Sequence, residues 1–311
     1  MYVYYRTSFL CALWKGWKYV RQHWGMPQLC QLNVITKNAI LPLYLYRKYH
    51  IPYLIVEHWS GYLPESGQYK GLIHTYISRL AAKYAQRILT VSSNLATQMQ
   101  RCGLSNDHYR LVPNVVFDTF FHRREQQARQ KKRILHVSFF TDAIKNESDI
   151  VRAVSLLYQQ RHDFELVMVG AGDDLMKVKQ LAQTLNLPEE TIRWTGEIEP
   201  EQVAQWFAQS DFFVLYSNYE TAGIVLAESL AAGIPIISTP VGIAPDIIND
   251  NTGLLVEKKN PKQLAQKMNW MLDHHQDFNP QLIKQTAVPF SMQQVGKYLK
   301  EIYSQLIITE K

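Results

Sequence analysis

From Arg133 onward, short apolar and β-branched runs alternate with stretches of helical period, and this alternation leaves the chain few architectures. Strands are expected at 134–138, 165–170, 191–195, 212–217, 235–238 and 253–256, with helices between most of them, as at 147–161 and 173–185. The runs are apolar at successive positions, as strands are when both faces of a sheet are covered. Such a strand–helix grammar gives an α/β fold with a parallel sheet. The first part repeats it less completely, with strands expected at 29–35, 53–57, 87–91 and 111–112 and helices near 38–49, 70–86 and 94–102. Between the halves, 114–132 ends in the polar run RREQQARQKKR, which has no apolar period and suits a connection. The expected division is a first domain over 1–120, a linker over 121–132, a second domain over 133–290 and a terminal helix over 291–311 returning to the first domain.

Length and charge agree with two domains. A chain of 311 residues, 47% of them hydrophobic, can bury two ordinary cores. Residues 1–114 carry 13 Lys/Arg against 3 Asp/Glu, a net +10, while the remainder carries 20 against 24, a net −4. A field of that sign in the first half attracts phosphates. No recognised nucleic-acid-binding motif accompanies it, so nucleic acid is not expected as a partner. Residues 1–24 add eight aromatics (Tyr2, Tyr4, Tyr5, Phe9, Trp14, Trp17, Tyr19, Trp24) interleaved with Arg6, Lys15, Lys18 and Arg21. That mixture suits an anionic bilayer interface; the competing reading makes Phe9, Leu10 and Leu13 the core face of an ordinary helix. Cys11, Cys30 and Cys102 are odd in number and far apart, which fits a reducing compartment and no structural zinc. No run approaches the ~18 apolar residues of a spanning helix, and the start lacks signal-peptide order. The expected location is the cytoplasm, with peripheral association at the inner face of the membrane.

The most informative segment is 217–238, SNYETAGIVLAESLAAGIPIIS. Thr221 is placed to cap a helix whose first turn is Ala222, Gly223 and Ile224, with Gly233 and Pro235 ending it. Small residues there leave backbone N–H groups open to an anion, which the helix dipole favours. Glu228 is a lone carboxylate among Val225, Leu226, Ala227, Leu230, Ala231 and Ala232. Such a group is costly unless hydroxyls or cations bond it; the bland alternative sends it to solvent. His274-His275 between Asp273 and Asp277 reads as a solvated helix end, so no metal is expected. Gly170-Ala-Gly172 is a weak dinucleotide signal, because Leu175 stands where the third glycine belongs.

Glu220-x7-Glu228, followed by Ala-Gly-Ile-Pro and a strand, resembles the donor-binding signature of glycosyltransferase family 4. Further pieces resemble that family in its order: Glu57-His58-Trp59-Ser60, Val91-Ser92-Ser93 and Val112-Pro113-Asn114 in the first half. In the second they are the stretch from His136 to Asn146, LVMVGAG over 166–172, Trp194-Thr-Gly196-Glu197, and 210–217. The resemblance spans roughly 28–305. It implies a GT-B architecture, two Rossmann-like domains facing a cleft, and a retaining transfer from a nucleotide-sugar donor to a glycan or lipid-linked acceptor. It implies no cofactor or metal.

Residue by residue, the resemblance makes Glu220, Lys145 and His58 the catalytic group. Lys145 would neutralise the departing phosphate, Glu220 would orient the donor sugar, and His58 would approach it from the opposite domain. Donor binding would fall to Ser138, Lys145, Asn146, Gly170, Glu197, Ile198, Thr221, Ala222, Gly223, Ile224 and Glu228, with Glu228 accepting from the ribose hydroxyls. The chain departs from the family at Phe139, where an arginine often stands, and at Ile243, where a second glycine often follows Gly242. The family's opening strand and glycine-rich turn have no counterpart before Leu29, so a shortened first domain is expected. The alternatives are a catalytically weak relative that binds nucleotide or a partner without turnover, and another GT-B enzyme such as a sugar-nucleotide epimerase.

Overall fold

The computed structural model describes residues 8–121 and 129–308. The polypeptide divides into two compact units, Met1–Val112 with Gly296–Lys311, and Pro113–Val295. The expected linker straddles this division. Val116 is buried and donates its N–H to Phe290 O at 2.8 Å, and the Phe120 ring lies 5.8 Å from that of Phe207, so 113–121 packs as part of the second unit. Residues 122–128 lie outside the described residues.

In the first unit, β1 (Cys30–Asn33), β2 (Tyr53–Glu57), β3 (Arg87–Thr90) and β4 (Tyr109–Leu111) form a parallel sheet in that order. The helices are α1 (Phe9–Trp24), α2 (Ile40–Tyr49), α3 (Leu72–Tyr84) and α4 (Ser93–Arg101). Ser92 caps α4 by accepting from Leu95 N at 3.2 Å. The core face of α1 is Trp17, packed with Leu45 and Ile51, with Trp14 edge-on to Tyr44 at 4.7 Å. Phe9 and Leu10, expected as that face in the bland reading, are exposed, because Trp17 and Trp14 bury more area against α2. Tyr2, Tyr4, Tyr5 and Arg6 lie outside the described residues.

The second unit holds β5 (Lys132–Val137), β6 (Phe164–Val169), β7 (Ile192–Gly196), β8 (Phe212–Leu215), β9 (Ile236–Ser238) and β10 (Gly253–Leu255). They pair in the order β10-β9-β8-β5-β6-β7, every pair parallel. Between and after them run α5 (Asp142–Lys145), α6 (Glu147–Tyr158), α7 (Leu175–Thr184), α8 (Pro200–Ala208), α9 (Ile224–Ala232), α10 (Ala244–Ile247), α11 (Pro261–His274) and α12 (Pro280–Ala287). Proline at the first turn of α8, α11 and α12 costs no hydrogen bond there, and Asn260 and Asn279 cap the last two. Every residue of β8 and β9 is buried, which explains their unbroken apolar runs. A final helix, α13 (Met292–Ile308), belongs from Gly296 to the first unit, where Tyr303 Oη donates to Gln31 Oε1 at 2.6 Å.

Candidate functional site

The strand order of the second unit fixes where a ligand can sit. The chain winds outward from β5 through β6 to β7, then restarts at β8 on the other side of β5 and winds to β10. At that reversal the loops after β5 and β8 leave the sheet toward opposite faces and open a crevice at the carboxyl ends. The loop after β5 carries Ser138 and leads through α5 to Lys145. The loop after β8 carries Ser217 to Gly223.

These two loops are tied to each other. Asn218 N donates to Ile144 O at 2.7 Å and its side-chain amide to Ala143 O at 3.0 Å. Lys145 Nζ meets Glu220 Oε1 at 2.5 Å, and Ser217 Oγ donates to the same oxygen at 2.8 Å. The Lys145 and Glu220 side chains are only 23% and 10% exposed, so their attraction is less screened than on an open surface. Residues 75 apart in sequence thus form one cation–carboxylate pair at the switch point.

The helix beyond Glu220 starts later than its sequence suggests. Gly223, at φ +73°, is the cap residue, and α9 opens at Ile224 with no side-chain cap. Thr221 therefore does not cap it, and Ala222 and Gly223 precede the helix. Glycine takes the left-handed conformation without penalty and turns the chain two residues after Thr221. The amides of Ala222, Gly223 and Ile224 still donate to no described residue, as at an open helix start. Ile224, Val225 and Glu228 form the less buried stripe of α9, so Glu228 stands one turn beyond those amides. Its carboxylate makes no side-chain hydrogen bond to a described residue, and burial pushes it up to about 7. An apolar setting without a partner is what a ligand's hydroxyls would relieve.

The remaining expected residues surround this centre unevenly. Gly170 brings the loop after β6 against the loop after β5; a Cβ there would lie 1.8 Å from Ser138 O. Its position thus answers to packing. Asn146, left-handed at φ 57°, joins α5 to α6, and its buried Nδ2 has no hydrogen-bond partner among the described residues. Glu197 is exposed and Ile198 half-buried beyond β7, two strands from the switch point. His58 is exposed at the end of β2 in the first unit, and so is no core histidine. Beside it Glu57 is fully buried and accepts from the amides of Ile35, His58 and Trp59, each at 2.9 Å. Burial raises the Glu57 carboxyl, and those amides oppose the rise. Among the described residues no group of three or more His, Cys, Asp or Glu could hold a metal ion; His274 pairs with Asp277 at 2.8 Å on the helix end.

Sequence reasoning missed a chain of hydrogen bonds under Ser138. His136 Nδ1 lies 2.9 Å from Val214 O, His136 Nε2 lies 2.9 Å from Ser138 Oγ, and Ser138 Oγ lies 2.9 Å from Glu147 Oε1. His136 and Glu147 are fully buried. Burial lowers the imidazole to about 4 and raises the carboxyl to about 7. One signal was available. Glu147 stands at helical spacing from Val151 and Val154, in the stripe of α6 that faces the core.

Residues 118–287 match the family described as glycosyl transferases group 1. Among curated relatives, the chain is 24% identical over 245 residues to N-acetyl-alpha-D-glucosaminyl L-malate synthase of Bacillus anthracis, covering 75% of this chain and 63% of that protein. It is 29% identical over 166 residues to alpha-monoglucosyldiacylglycerol synthase of Streptococcus pneumoniae, 53% of this chain and 37% of that one. The chain thus spans less than two thirds of these relatives' length. In fold it is similar to HepE of Anabaena, solved in complex with UDP, at a TM-score of 0.79 and 15% identity over 95% of this chain and 82% of that one. It is also similar to the lipopolysaccharide outer core galactosyltransferase WaaB, at a TM-score of 0.72 and 20% identity over 94% and 79%. Two parallel α/β units of this kind are the GT-B fold, and the match over more than half of its residues places the chain in the group 1 glycosyl transferases.

Proposed function

We propose that this chain is a retaining glycosyltransferase of family 4, moving a sugar from a nucleoside diphosphate donor to a glycan or lipid-linked acceptor in surface polysaccharide biosynthesis. The observation that carries the donor part is Glu228, a half-buried carboxylate without a side-chain partner, one turn from open helix amides. Ribose hydroxyls donating to Glu228 supply the missing partners. The amides of Ala222, Gly223 and Ile224 then face the diphosphate, and Lys145 stabilises the charge that develops on it as the sugar leaves. Glu220, which now holds Lys145, accepts from sugar hydroxyls. Ser138, Asn146, Gly170, Thr221, Glu197 and Ile198 complete the donor set. His58 serves the reaction from the first unit, and the reading needs no metal.

The acceptor side rests on the surface of the first unit. Leu72, Ile73 and Tyr76, on the first turns of α3, are 92%, 76% and 68% exposed. With Phe9, Thr36 and Trp59 the first two line an apolar cavity of about 870 Å³, beside Lys37. Exposed apolar side chains among basic ones favour an anionic lipid surface, and a lipid-linked acceptor is found there.

Glu228→Ala tests the donor site. It should weaken nucleoside diphosphate binding by about 1.5–3 kcal/mol, the value of a hydrogen bond to a charged group. Calorimetry should start with UDP, the nucleotide bound by HepE. Unchanged affinity would end the ribose assignment. Transfer should persist in EDTA; loss restored by Mg²⁺ or Mn²⁺ would overturn the metal-free reading.

A further inference from the structure

The three links beneath Ser138 can be counted proton by proton. Val214 O can only accept, so His136 Nδ1 carries a hydrogen and donates to it at 2.9 Å. A neutral imidazole then has a bare Nε2, which must accept from the Ser138 hydroxyl at 2.9 Å. That uses the only hydrogen Ser138 has. The 2.9 Å contact between Ser138 Oγ and Glu147 Oε1 is then a hydrogen bond only if Glu147 donates. The other complete arrangement reverses both links and places imidazolium and carboxylate inside a site where both residues are fully buried. Two buried charges separated by a hydroxyl cost far more than the neutral chain.

We propose that Glu147 is a positioning residue of the donor site, holding a proton that completes the Val214–His136–Ser138–Glu147 chain and keeps the Lys145 loop free of buried negative charge. The inference rests on the donor reading of that loop. When Glu147 ionises, Ser138 must abandon either His136 or Glu147, and an anion appears two residues from Lys145. The charged neighbours do not offset it. Asp142 of α5 adds negative charge and is itself engaged by Ser148 N and Oγ at 2.7 Å each and by Lys177 of α7 at 3.3 Å. Asp174, before α7, takes the Asp142 amide at 2.8 Å, and Lys145 is held by Glu220. The Glu147 carboxyl, raised by burial to about 7, therefore loses its proton just above neutrality. Diphosphate affinity falls with it.

The experiment uses the full chain, with UDP as probe. Between pH 6.5 and 8.5, UDP affinity of the wild type should fall at least about fivefold relative to that of Glu147→Gln, the lower end of ordinary site–site coupling. Glu147→Gln keeps a permanent donor to Ser138 Oγ, so its profile should keep only the rise that Glu228 gives as it ionises through about 7. A merely structural glutamate would leave the two pH profiles parallel, and parallel profiles overturn the proposal. Carbon NMR of the unliganded wild type should show two glutamate carboxyls titrating near 7, of which Glu147→Gln removes one and leaves Glu228. Nitrogen NMR should show His136 neutral and protonated at Nδ1. An ionised Glu147 at pH 6, or a His136 imidazolium, overturns the proton assignment even if the variant fails to fold. No UDP binding at any pH would sink the nucleotide reading and the coupling with it, while the NMR result still decides where the proton lies.

Discussion

At the scale of single residues, Glu228 and Glu147 are two carboxyls raised to about 7 by burial, with opposite demands. On the proposed donor reading, ribose hydroxyls stabilise the anion of Glu228, so nucleotide binding should lower its pKa and expel a proton near neutrality. Calorimetry of Glu147→Gln at pH 7, which removes the opposing proton uptake by Glu147, should give different apparent heats in two buffers of different ionisation enthalpy, and adding Glu228→Ala should change that difference. A difference that Glu228→Ala leaves unchanged in that background would mean that Glu228 is not engaged. The consequence for folding runs in one direction. A carboxyl raised in the folded state contributes most at acidic pH, below its unfolded value near 4.5, and that contribution is lost as pH rises through about 7. For the fully buried Glu147 the loss is on the order of 3 kcal/mol, from 1.36 kcal/mol for each pKa unit. Glu228 could be singled out from sequence because a carboxylate in an all-apolar helix is conspicuous. Glu147 was harder to single out, since an acid in the first turn of a helix is ordinary and only its spacing to Val151 and Val154 marked it as facing the core.

Among the elements, the legible strands were those buried on both faces. β8 and β9 are apolar at nearly every position, and their runs marked them. β4 was read as starting at Leu111, yet it begins at Tyr109, because Tyr109, Arg110 and Leu111 are half-buried to exposed and leave no apolar run. The α9 cap was misplaced for a local reason: Thr221 is a good capping residue, but Gly223 makes the turn. The loops behave differently from the helices they join. Gly170→Ala puts a Cβ 1.8 Å from Ser138 O and should cost about 2–3 kcal/mol, from strain and a backbone that must shift. Gly16→Ala, inside α1 with open space around it, should stabilise by about 0.5–1 kcal/mol. Thermal melts of both variants check the contrast; a harmless Gly170→Ala would mean that the loops after β5 and β6 move apart easily.

For the molecule as a whole, charge and exposure point the same way. Residues 1–114 are net +10, and the same unit exposes Leu72, Ile73 and Tyr76. No described helix is long and apolar enough to cross a membrane. Each basic residue near an anionic surface contributes about 1 kcal/mol, over a screening length of about 8 Å at physiological salt. The full chain should therefore sediment with vesicles containing anionic lipid and not with neutral ones. Adsorption should fade at about 0.5 M salt, where screening shortens to about 4 Å. Replacing both Leu72 and Ile73 with Ser should weaken it without unfolding, since both side chains are already in solvent. A chain that ignores anionic vesicles at low salt would remove the membrane from the proposal. The sequence made the charge legible but not the apolar patch, because LIHTYISRL reads as an amphipathic helix and only the fold decides which of its residues stay uncovered.

Helix α13 also bears on how the chain reaches this state. Its Ile302 and Leu306 are buried, yet they join the first unit only after Pro113–Val295 has been made. In topology the second unit is an insertion within the first. On the ribosome, chain growth hands over the whole six-stranded sheet before the first unit receives its last helix. A nascent chain released between the two events would carry a finished second unit and a first unit without its last helix. Premature termination near residue 295 should thus leave the second unit folded and destabilise the first.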